Sequence, residues 1–421
     1  SFLLSMGSVI ESDGVQITVT IPETLRVSIL RYSKQIGGDG SYFKLSSMRN
    51  AVNDISQNGN EYKESVNVVE FSDVVIPELI NATLDFGNGL LLLQASETID
   101  SIPLTNIFLD KLFINLTHKT NYDLSLTLEG ASLFETESTL MTILLTEIQR
   151  TQTIQMSGTA GGDSSSVKIT AKEGCIMDMS ANRNNGMKSR NIPVFEIADT
   201  ILPTFVNATI NYSSGDLIIR SSEFIDSTPK AKINLSAIFL CNDTMNDGQS
   251  LVGAHLVDEN DGYTVRIVLN EMQRTKALLI SNTFPGDKSP IKIMLLSGAL
   301  LDVATNKIVA LQPTVVTEYE DVKNPIIIYA ALNYTLGILT LRFNETMDIS
   351  SAAKVDLNKV YILDIINQLT SGINIIGAVV TYAYASLDVS IILTELQRVK
   401  AIQLSGVPGG DGLATFLGGI N

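Results

Sequence analysis

The sequence predicts an all-β chain of tandem β-sandwich units of about 124 residues each, the first and last of them incomplete. Two observations carry that expectation. The phrase Glu23-Thr24-Leu25-Arg26 returns as Glu147-Ile148-Gln149-Arg150, Glu271-Met272-Gln273-Arg274 and Glu395-Leu396-Gln397-Arg398, each copy 124 residues after the last. A fixed period of this kind marks one structural unit copied in series. Between the copies lie short apolar or alternating runs bounded by turn residues, the pattern of strands.

The leading segment reads as the back half of a unit, because Ser1 aligns with Ser125. It offers a strand over Gln16-Ile17-Thr18-Val19-Thr20, followed by the first Glu-x-x-Arg phrase. Comparable strands precede the later phrases: Leu140-Met141-Thr142-Ile143-Leu144, Thr264-Val265-Arg266-Ile267-Val268 and Val389-Ser390-Ile391-Ile392-Leu393. The front halves carry Gly89-Leu90-Leu91-Leu92-Leu93, Asp216-Leu217-Ile218-Ile219-Arg220 and Ile338-Leu339-Thr340-Leu341-Arg342 at glycine-bearing turns.

The repeated phrase itself reads as one or two helical turns bridging two sheets. Thr146, Asn270 and Thr394 stand where a cap belongs, and the glutamate sits at the positive end of the helix dipole. Pro22 takes the cap position in the first copy, so that helix starts differently. The arginine can pair with the glutamate three residues before it, and an exposed pair contributes on the order of half a kcal/mol. Each phrase is followed by an apolar residue (Leu30, Ile154, Leu278, Ile402), a serine (Ser33, Ser157, Ser281, Ser405) and a Gly-Asp pair (Gly38-Asp39, Gly162-Asp163, Gly286-Asp287, Gly410-Asp411). Closing segments align as Ala51 to Asp54, Cys175 to Asp178 and Ala299 to Asp302, with Asn58, Asn182 and Asn306 four residues further on.

Proline joints at Val75-Ile76-Pro77, Ile201-Leu202-Pro203 and Lys323-Asn324-Pro325 divide the chain into 1–74, 75–200, 201–322 and 323–421. No flexible linker separates these units, so they are expected to stack with restricted hinges. The last unit stops short of the place where the closing aspartate would recur. The chain is then a fragment of a longer array, or part of it is disordered, or a neighbouring copy completes the open unit by strand addition. Head-to-tail completion does not close on itself and would give a filament.

A strand ending Glu97-Thr98-Ile99-Asp100, Glu223-Phe224-Ile225-Asp226 or Glu345-Thr346-Met347-Asp348, a later Glu-x-x-Arg turn and a terminal Asp-x-x-x-Asn together resemble a family. They look like the tandem immunoglobulin-like repeats of large extracellular surface and filament proteins. Leu341-Arg342-Phe343-Asn344-Glu345-Thr346-Met347-Asp348 is the nearest copy of the family phrase. Gln57, Ala181 and Thr305 depart from the pattern, since they stand where the family has glycine in its closing turn. The resemblance implies immunoglobulin-like sandwiches serving as spacers, adhesins or lattice and filament subunits.

A net charge of −16 opposes binding to nucleic acid or anionic lipid. No run of about twenty apolar residues appears, so no direct membrane insertion is expected. Ser1-Phe2-Leu3-Leu4-Ser5 lacks the basic region of a secretory signal. The two cysteines, Cys175 and Cys241, read as free small hydrophobes. Alanines at the positions equivalent to Cys175 point to a small buried site, and one bridge between units stays open as the alternative.

Eight Asn-x-Ser/Thr sequons, at Asn81, Asn115, Asn207, Asn211, Asn234, Asn242, Asn333 and Asn344, all fall in front halves of units. That distribution favours N-linked glycans on an extracellular or cell-surface protein over chance polar residues at strand ends. The Gly-Asp loops and the Asp54/Asp178/Asp302 series could take calcium, but no dense acidic loop is present, and a turn role is simpler. His118 and His255, the only histidines, read as solvent-facing and have no second ligand or nucleophile at a recognisable spacing, so no enzyme and no cofactor is expected. The expected function is a structural subunit whose partners are copies of itself. The alternative is an adhesin stalk, or a surface module that binds carbohydrate or protein. A carbohydrate-active enzyme would need a paired-carboxylate cleft, and the acids here recur instead as turn and cap residues.

Overall fold

The computed structural model describes residues 2–10, 13–115, 125–134, 137–243, 248–257, 259–364, 372–381 and 386–419. Strands dominate, arranged as facing sheets with one short helix per repeat, so the architecture is the expected all-β sandwich.

Residues 75–200 show how the sandwich closes. Leu79–Asp85 and Leu90–Ile99 form a hairpin, and Ser138–Leu144 pairs with the second strand. Alternate residues of these strands, Leu84, Leu91, Leu93, Met141 and Ile143, point inward and are buried, as a two-residue period requires. Leu112–Asn115 and Lys168–Ala171 form the facing sheet and supply Leu112, Ile114 and Ile169. Each of these side chains contributes about 1.5–3 kcal/mol by leaving water.

The closing strand, Ile192–Ile197, belongs to both sheets. Ile192 and Pro193 pair antiparallel with Lys168–Ile169, and Val194 to Ile197 then run parallel to Ala82–Asp85. In 201–322 the same connection is made by two pieces. Leu311–Val315 pairs with Lys292–Leu295, and Thr317–Tyr319 runs parallel to Thr209–Asn211. A strand that switches sheets makes the corner of a sandwich. In 323–421 the corresponding strands Ile327–Asn333 and Phe416–Gly419 each end their sheets, and no described residue lies between them. Three separate hydrophobic clusters follow the three sandwiches.

Four helices carry the repeated phrase: α1 (Glu23–Leu30), α2 (Glu147–Gln155), α3 (Glu271–Leu279) and α4 (Glu395–Gln403). They are longer than the one or two turns expected, and their capping is more complete. Thr146, Asn270 and Thr394 accept from the backbone N–H of Gln149, Gln273 and Gln397, whose side chains bond back to the cap, forming a capping box each time. The same glutamine amides then donate to the backbone of a neighbouring turn, Gln149 to the Thr127 and Glu129 carbonyls. In α1, Pro22 makes no side-chain cap and buried Leu25 stands in the glutamine's place.

The residues behind each helix have defined roles. Ser157, Ser281 and Ser405 donate their hydroxyls to the carbonyls of Ile154, Leu278 and Ile402, using acceptors the helix end leaves open. Asp39, Asp163, Asp287 and Asp411 each accept from the backbone N–H two residues on, the turn role expected of them. Gln57, Ala181 and Thr305 adopt φ of 67°, 65° and 70°, so the closing turn keeps the left-handed geometry of the family's glycine despite a side chain.

One expectation changes. The strand expected over Gln16–Thr20 is reduced to Val19–Thr20, paired with Ser8–Val9. Cys175 and Cys241 are both buried and neither is in a disulfide, as read from the sequence, so no bridge joins the units, and burial pushes the Cys175 thiol up to about 12. His255 is exposed, as expected, whereas His118 lies outside the described residues.

Replacing the cap in Thr146→Ala removes one side of the α2 capping box. A loss of about 1 kcal/mol is expected in denaturant unfolding, against no measurable change for the exposed Thr24→Ala in α1.

Candidate functional site

The region with the most unusual chemistry is the joint between successive sandwiches. It is built by the Glu-x-x-Arg phrase, the end of the closing strand and the long front strand of the next repeat. Arg150 extends from α2 along the hairpin turn, where Gly89, at φ 72°, lies close to its stem. Its Nε and Nη2 donate to Glu147 at 2.8 and 2.6 Å, and Nη1 donates to the Phe86 carbonyl at 2.8 Å and to Asp199 at 2.7 Å. Nη2 also reaches Glu223, on the strand Asp216–Ile225 of the next repeat, at 3.0 Å. Glu147 accepts in turn from the Phe224 backbone N–H at 3.3 Å.

The same fork recurs on both sides. Arg26 joins Glu23, Asp73 at 2.6 Å and Glu97 at 3.0 Å, while Thr98 N–H donates to Glu23. Arg274 joins Glu271, Asp321 at 2.7 Å and Glu345 at 3.1 Å, while Thr346 N–H donates to Glu271. Arg398 is different. It bonds Glu395 and the Tyr334 carbonyl, and it meets no further carboxylate among the described residues.

The sequence expectation of an exposed, weak Glu-Arg pair is therefore corrected. Arg150 is only 6% exposed, and its charge is shared among acids from two repeats. A guanidinium suits this position because its planar fork serves several carboxylates at once.

The closing turn completes the joint. Asn182 bonds Asp178 through its backbone and side-chain N–H and also donates to the Asp73 carbonyl at 3.2 Å; Asn306 does the same with Asp302 and the Asp199 carbonyl at 3.2 Å. Gly161, at φ 88°, packs so tightly on this turn that a Cβ would stand 1.9 Å from the Val303 carbonyl, and Gly37 meets the Met179 carbonyl in the same way. Val303 and Ala304 accordingly join the hydrophobic cluster of the preceding repeat. These contacts bring Asp73, Glu97 and Asp178 together, and likewise Asp199, Glu223 and Asp302, with oxygens within 4.8 Å of one another in each set.

Several like charges in one buried pocket oppose ionisation. Burial, with repulsion from Asp178 and Asp73, pushes the Glu97 carboxyl up to about 7. Burial pushes Glu223 up to about 7 against the attraction of Arg150, and Asp302 up to about 6. Asp178 also moves up, chiefly through burial. Burial opposes the charge of Arg150 as well, but Glu147 and Glu223 outweigh it and hold the arginine above its ordinary range.

A second feature lies in 323–421. Ile327, Ile328, Tyr329, Val360, Leu417 and Gly418 line a groove of about 400 Å³ between the two edge strands. It occupies the place that the closing strand fills in the two preceding sandwiches.

The sequons are distributed around the sandwiches. Asn81, Asn207, Asn234, Asn333 and Asn344 are exposed, and Asn115, Asn211 and Asn242 are half-buried. The amide of Asn115 donates to the Thr170 hydroxyl at 2.6 Å and that of Asn242 to Asp287 at 3.1 Å, which engages the nitrogen a glycan would use.

Sequence reasoning singled out Glu97, Glu223 and Glu345 within a phrase, and Asp178 and Asp302 in the closing series, without joining them. It missed Asp73, Asp199 and Asp321. A signal was available: Val68-Val69-Glu70-Phe71-Ser72-Asp73, Val194 to Asp199 and Val316 to Asp321 share the pattern Val-x-Glu-x-x-Asp. Its glutamates also recur in structure, with Glu70, Glu196 and Glu318 each accepting from two separate loop N–H groups.

No family model matches the chain, and no curated protein matches it. Similar solved structures include the N-terminal part of the bacterial S-layer protein SbsC, at 10% identity and TM-score 0.19, covering 46% of this chain and 45% of that one. The chain thus spans under half of that S-layer fragment. The FN1-FN3 domains of chicken CNTN1 align at 7% identity and TM-score 0.20, over 75% of this chain and 89% of that one. The Bacteroides ovatus mixed-linkage glucan utilization locus SGBP-B, solved with a mixed-linkage heptasaccharide, aligns at 12% identity and TM-score 0.17, over 87% and 78%. Overlaps this low carry no argument about function. The class of protein is defined by the chain's own strands: an all-β sandwich protein with acid-rich joints.

Two outcomes test the joint. Arg150→Met strands four carboxylates and is expected to cost about 3–5 kcal/mol in chemical unfolding, whereas Arg398→Met removes a pair open to water and a bond to the Tyr334 carbonyl and is expected to cost far less. Equal costs would contradict the assigned role. Glu97 and Glu223 bind protons more tightly in the folded state than in the unfolded one. The stability they lend is therefore full below about pH 4.5 and lost as pH rises through about 7. In buffer free of divalent cations the melting temperature should fall between about pH 5 and about pH 8, and the double variant Glu97→Gln/Glu223→Gln should flatten that slope.

Proposed function

We propose that this chain is a structural subunit of an extracellular, N-glycosylated filament or surface array, made of immunoglobulin-like sandwiches and assembled head to tail by strand completion. The observation that carries the reading is the groove between Ile327–Asn333 and Phe416–Gly419, a strand-shaped vacancy among the described residues. Equivalent strands in the two preceding sandwiches take a closing strand there, parallel to the front strand.

Among the described residues, a segment with the closing-strand pattern also lies outside any parallel pairing. Val68 to Asp73 has the Val-x-Glu-x-x-Asp pattern, and Val69 and Phe71 are 79% and 88% exposed. A second copy presenting this segment would supply backbone partners for the open edges and apolar side chains for the groove. Donor and acceptor lie at opposite ends of the sequence, so the contact is heterologous and propagates instead of closing. The joints suit a mechanical role, because the Arg26 and Arg150 joints are fixed by ion pairs and by close turn contacts at Gly37 and Gly161. The exposed sequons at Asn81, Asn207, Asn234, Asn333 and Asn344 leave room for glycans on the outer faces.

Light scattering with electron microscopy on the full chain tests the assembly. Concentration-dependent polymers are expected, and Ile328→Asp, at a groove position 62% exposed and so tolerant of charge, should leave folded monomers. A wild-type monomer at every concentration would refute the assembly. For the glycans, protein from its native source should lose mass on glycosidase treatment, and an unchanged mass would remove that part of the reading.

A further inference from the structure

We propose that the joints are also divalent-cation sites, each taking one calcium ion between the linker aspartate, the strand glutamate and the closing-turn aspartate. The ligands are Asp73, Glu97 and Asp178 at one joint and Asp199, Glu223 and Asp302 at the next.

Three observations carry this. The first is geometric. In each set one oxygen per residue lies within 4.8 Å of the other two, about twice a calcium–oxygen distance of roughly 2.3–2.6 Å, so one ion can touch all three. The second is an orphaned atom. Glu97 is 6% exposed; Arg26 holds its Oε2, but Oε1 is buried with no hydrogen-bond partner. Oε1 of Glu345, the equivalent residue at the third joint, is buried and unpartnered as well. The neighbours of Glu97 in its cluster are other carboxylates, which as ions only accept, so that oxygen calls for a cation, a proton or a bound water. The third is charge. At each of these two joints one guanidinium faces four carboxylates, those of Glu23, Asp73, Glu97 and Asp178 or of Glu147, Asp199, Glu223 and Asp302.

The chemistry selects the ion. All donors are carboxylate oxygens, with no imidazole or thiolate, a set that suits a hard cation and not zinc or copper. The closing-turn aspartate is pre-set: the Ser180 and Asn182 backbone N–H groups and the Asn182 amide fix both oxygens of Asp178, each still with lone pairs to offer. Asp73 remains partly open to solvent, giving the ion a path in and room for bound water. Because the ligands come from the end of one repeat and two elements of the next, the ion would lock the two together. The site lies within a single chain, so it stands or falls independently of filament assembly.

Calorimetric titration of the chelator-treated full chain with calcium chloride tests the proposal, alongside thermal melts in calcium or magnesium. Binding in the range of about 10⁻⁴–10⁻³ M is expected, as in extracellular calcium modules, with a rise in melting temperature that magnesium does not match. Glu97→Gln and Glu223→Gln keep the shape of the side chain and the acceptor for the arginine. Each should lose one site, and the double variant should lose the binding heat and the calcium-dependent rise while keeping the wild-type circular dichroism. Absence of calcium uptake by the wild type would overturn the proposal, leaving a proton or a bound water to satisfy the joint. So would equal uptake by wild type and double variant, or equal stabilisation by magnesium.

Discussion

The constraint on which the rest of the structure depends is the arginine at each joint, half-buried as Arg26 and buried as Arg150 and Arg274. Arg150 must be placed by its own helix, held along the hairpin turn of its own sandwich, and met by a glutamate from the next one. Removing such a charge from water is costly unless every donor is used, and here the fork is satisfied on all sides. That requirement explains the strict spacing of the phrase. Glutamate and arginine three residues apart share one helix face, so Glu147 both orients the guanidinium and accepts from the Phe224 backbone. One dipeptide spacing therefore sets the position of the next sandwich.

Much of this was legible because it is local. Cap, helix, serine and Asx turn are all written within about fifteen residues of each phrase, and their physics needs no distant partner. The inward alternation of Leu91, Leu93, Met141 and Ile143 likewise gives the sandwich from pattern alone. The worth of the arginine was misjudged for the opposite reason. Its decisive partners, Asp199 and Glu223, lie 49 and 73 residues away, and burial at a joint is not encoded in the phrase. The closing turn shows a different limit. Gln57, Ala181 and Thr305 replace a glycine yet keep positive φ, because hydrogen bonds from Asn58, Asn182 and Asn306 to the aspartate hold the turn in place. Sequence flags the departure there, and only packing shows that it is tolerated.

The joint has more acid than its arginine needs. A purely structural fork would be served by Glu147 and Glu223, yet Asp199 and Asp302 are also drawn in, and buried carboxyls rise toward neutrality as a result. Excess acid weakens the apo joint at high pH and makes its strength depend on what the surroundings supply, whether proton or metal ion. A covalent bridge would have fixed the units regardless of conditions, but the two cysteines are buried and form no disulfide. The chain uses reversible electrostatics where a disulfide could have served.

The Arg398 end connects the joint to assembly. Among the described residues its fork carries only Glu395 and the Tyr334 carbonyl, the half-site that Arg26, Arg150 and Arg274 fill with downstream acids. The groove along the front strand Ile327–Asn333, which leads to Tyr334, presents open strand edges. In the proposed assembly, both are met by one complementary element: a sandwich bearing a closing strand that ends in aspartate and a front strand bearing glutamate. Those are the pieces every earlier joint in this chain employs. A partner that brought the strand without the acids would fill the groove and leave Arg398 half served. The proposed addition of a like unit accounts for both features at once, which the strand alone does not.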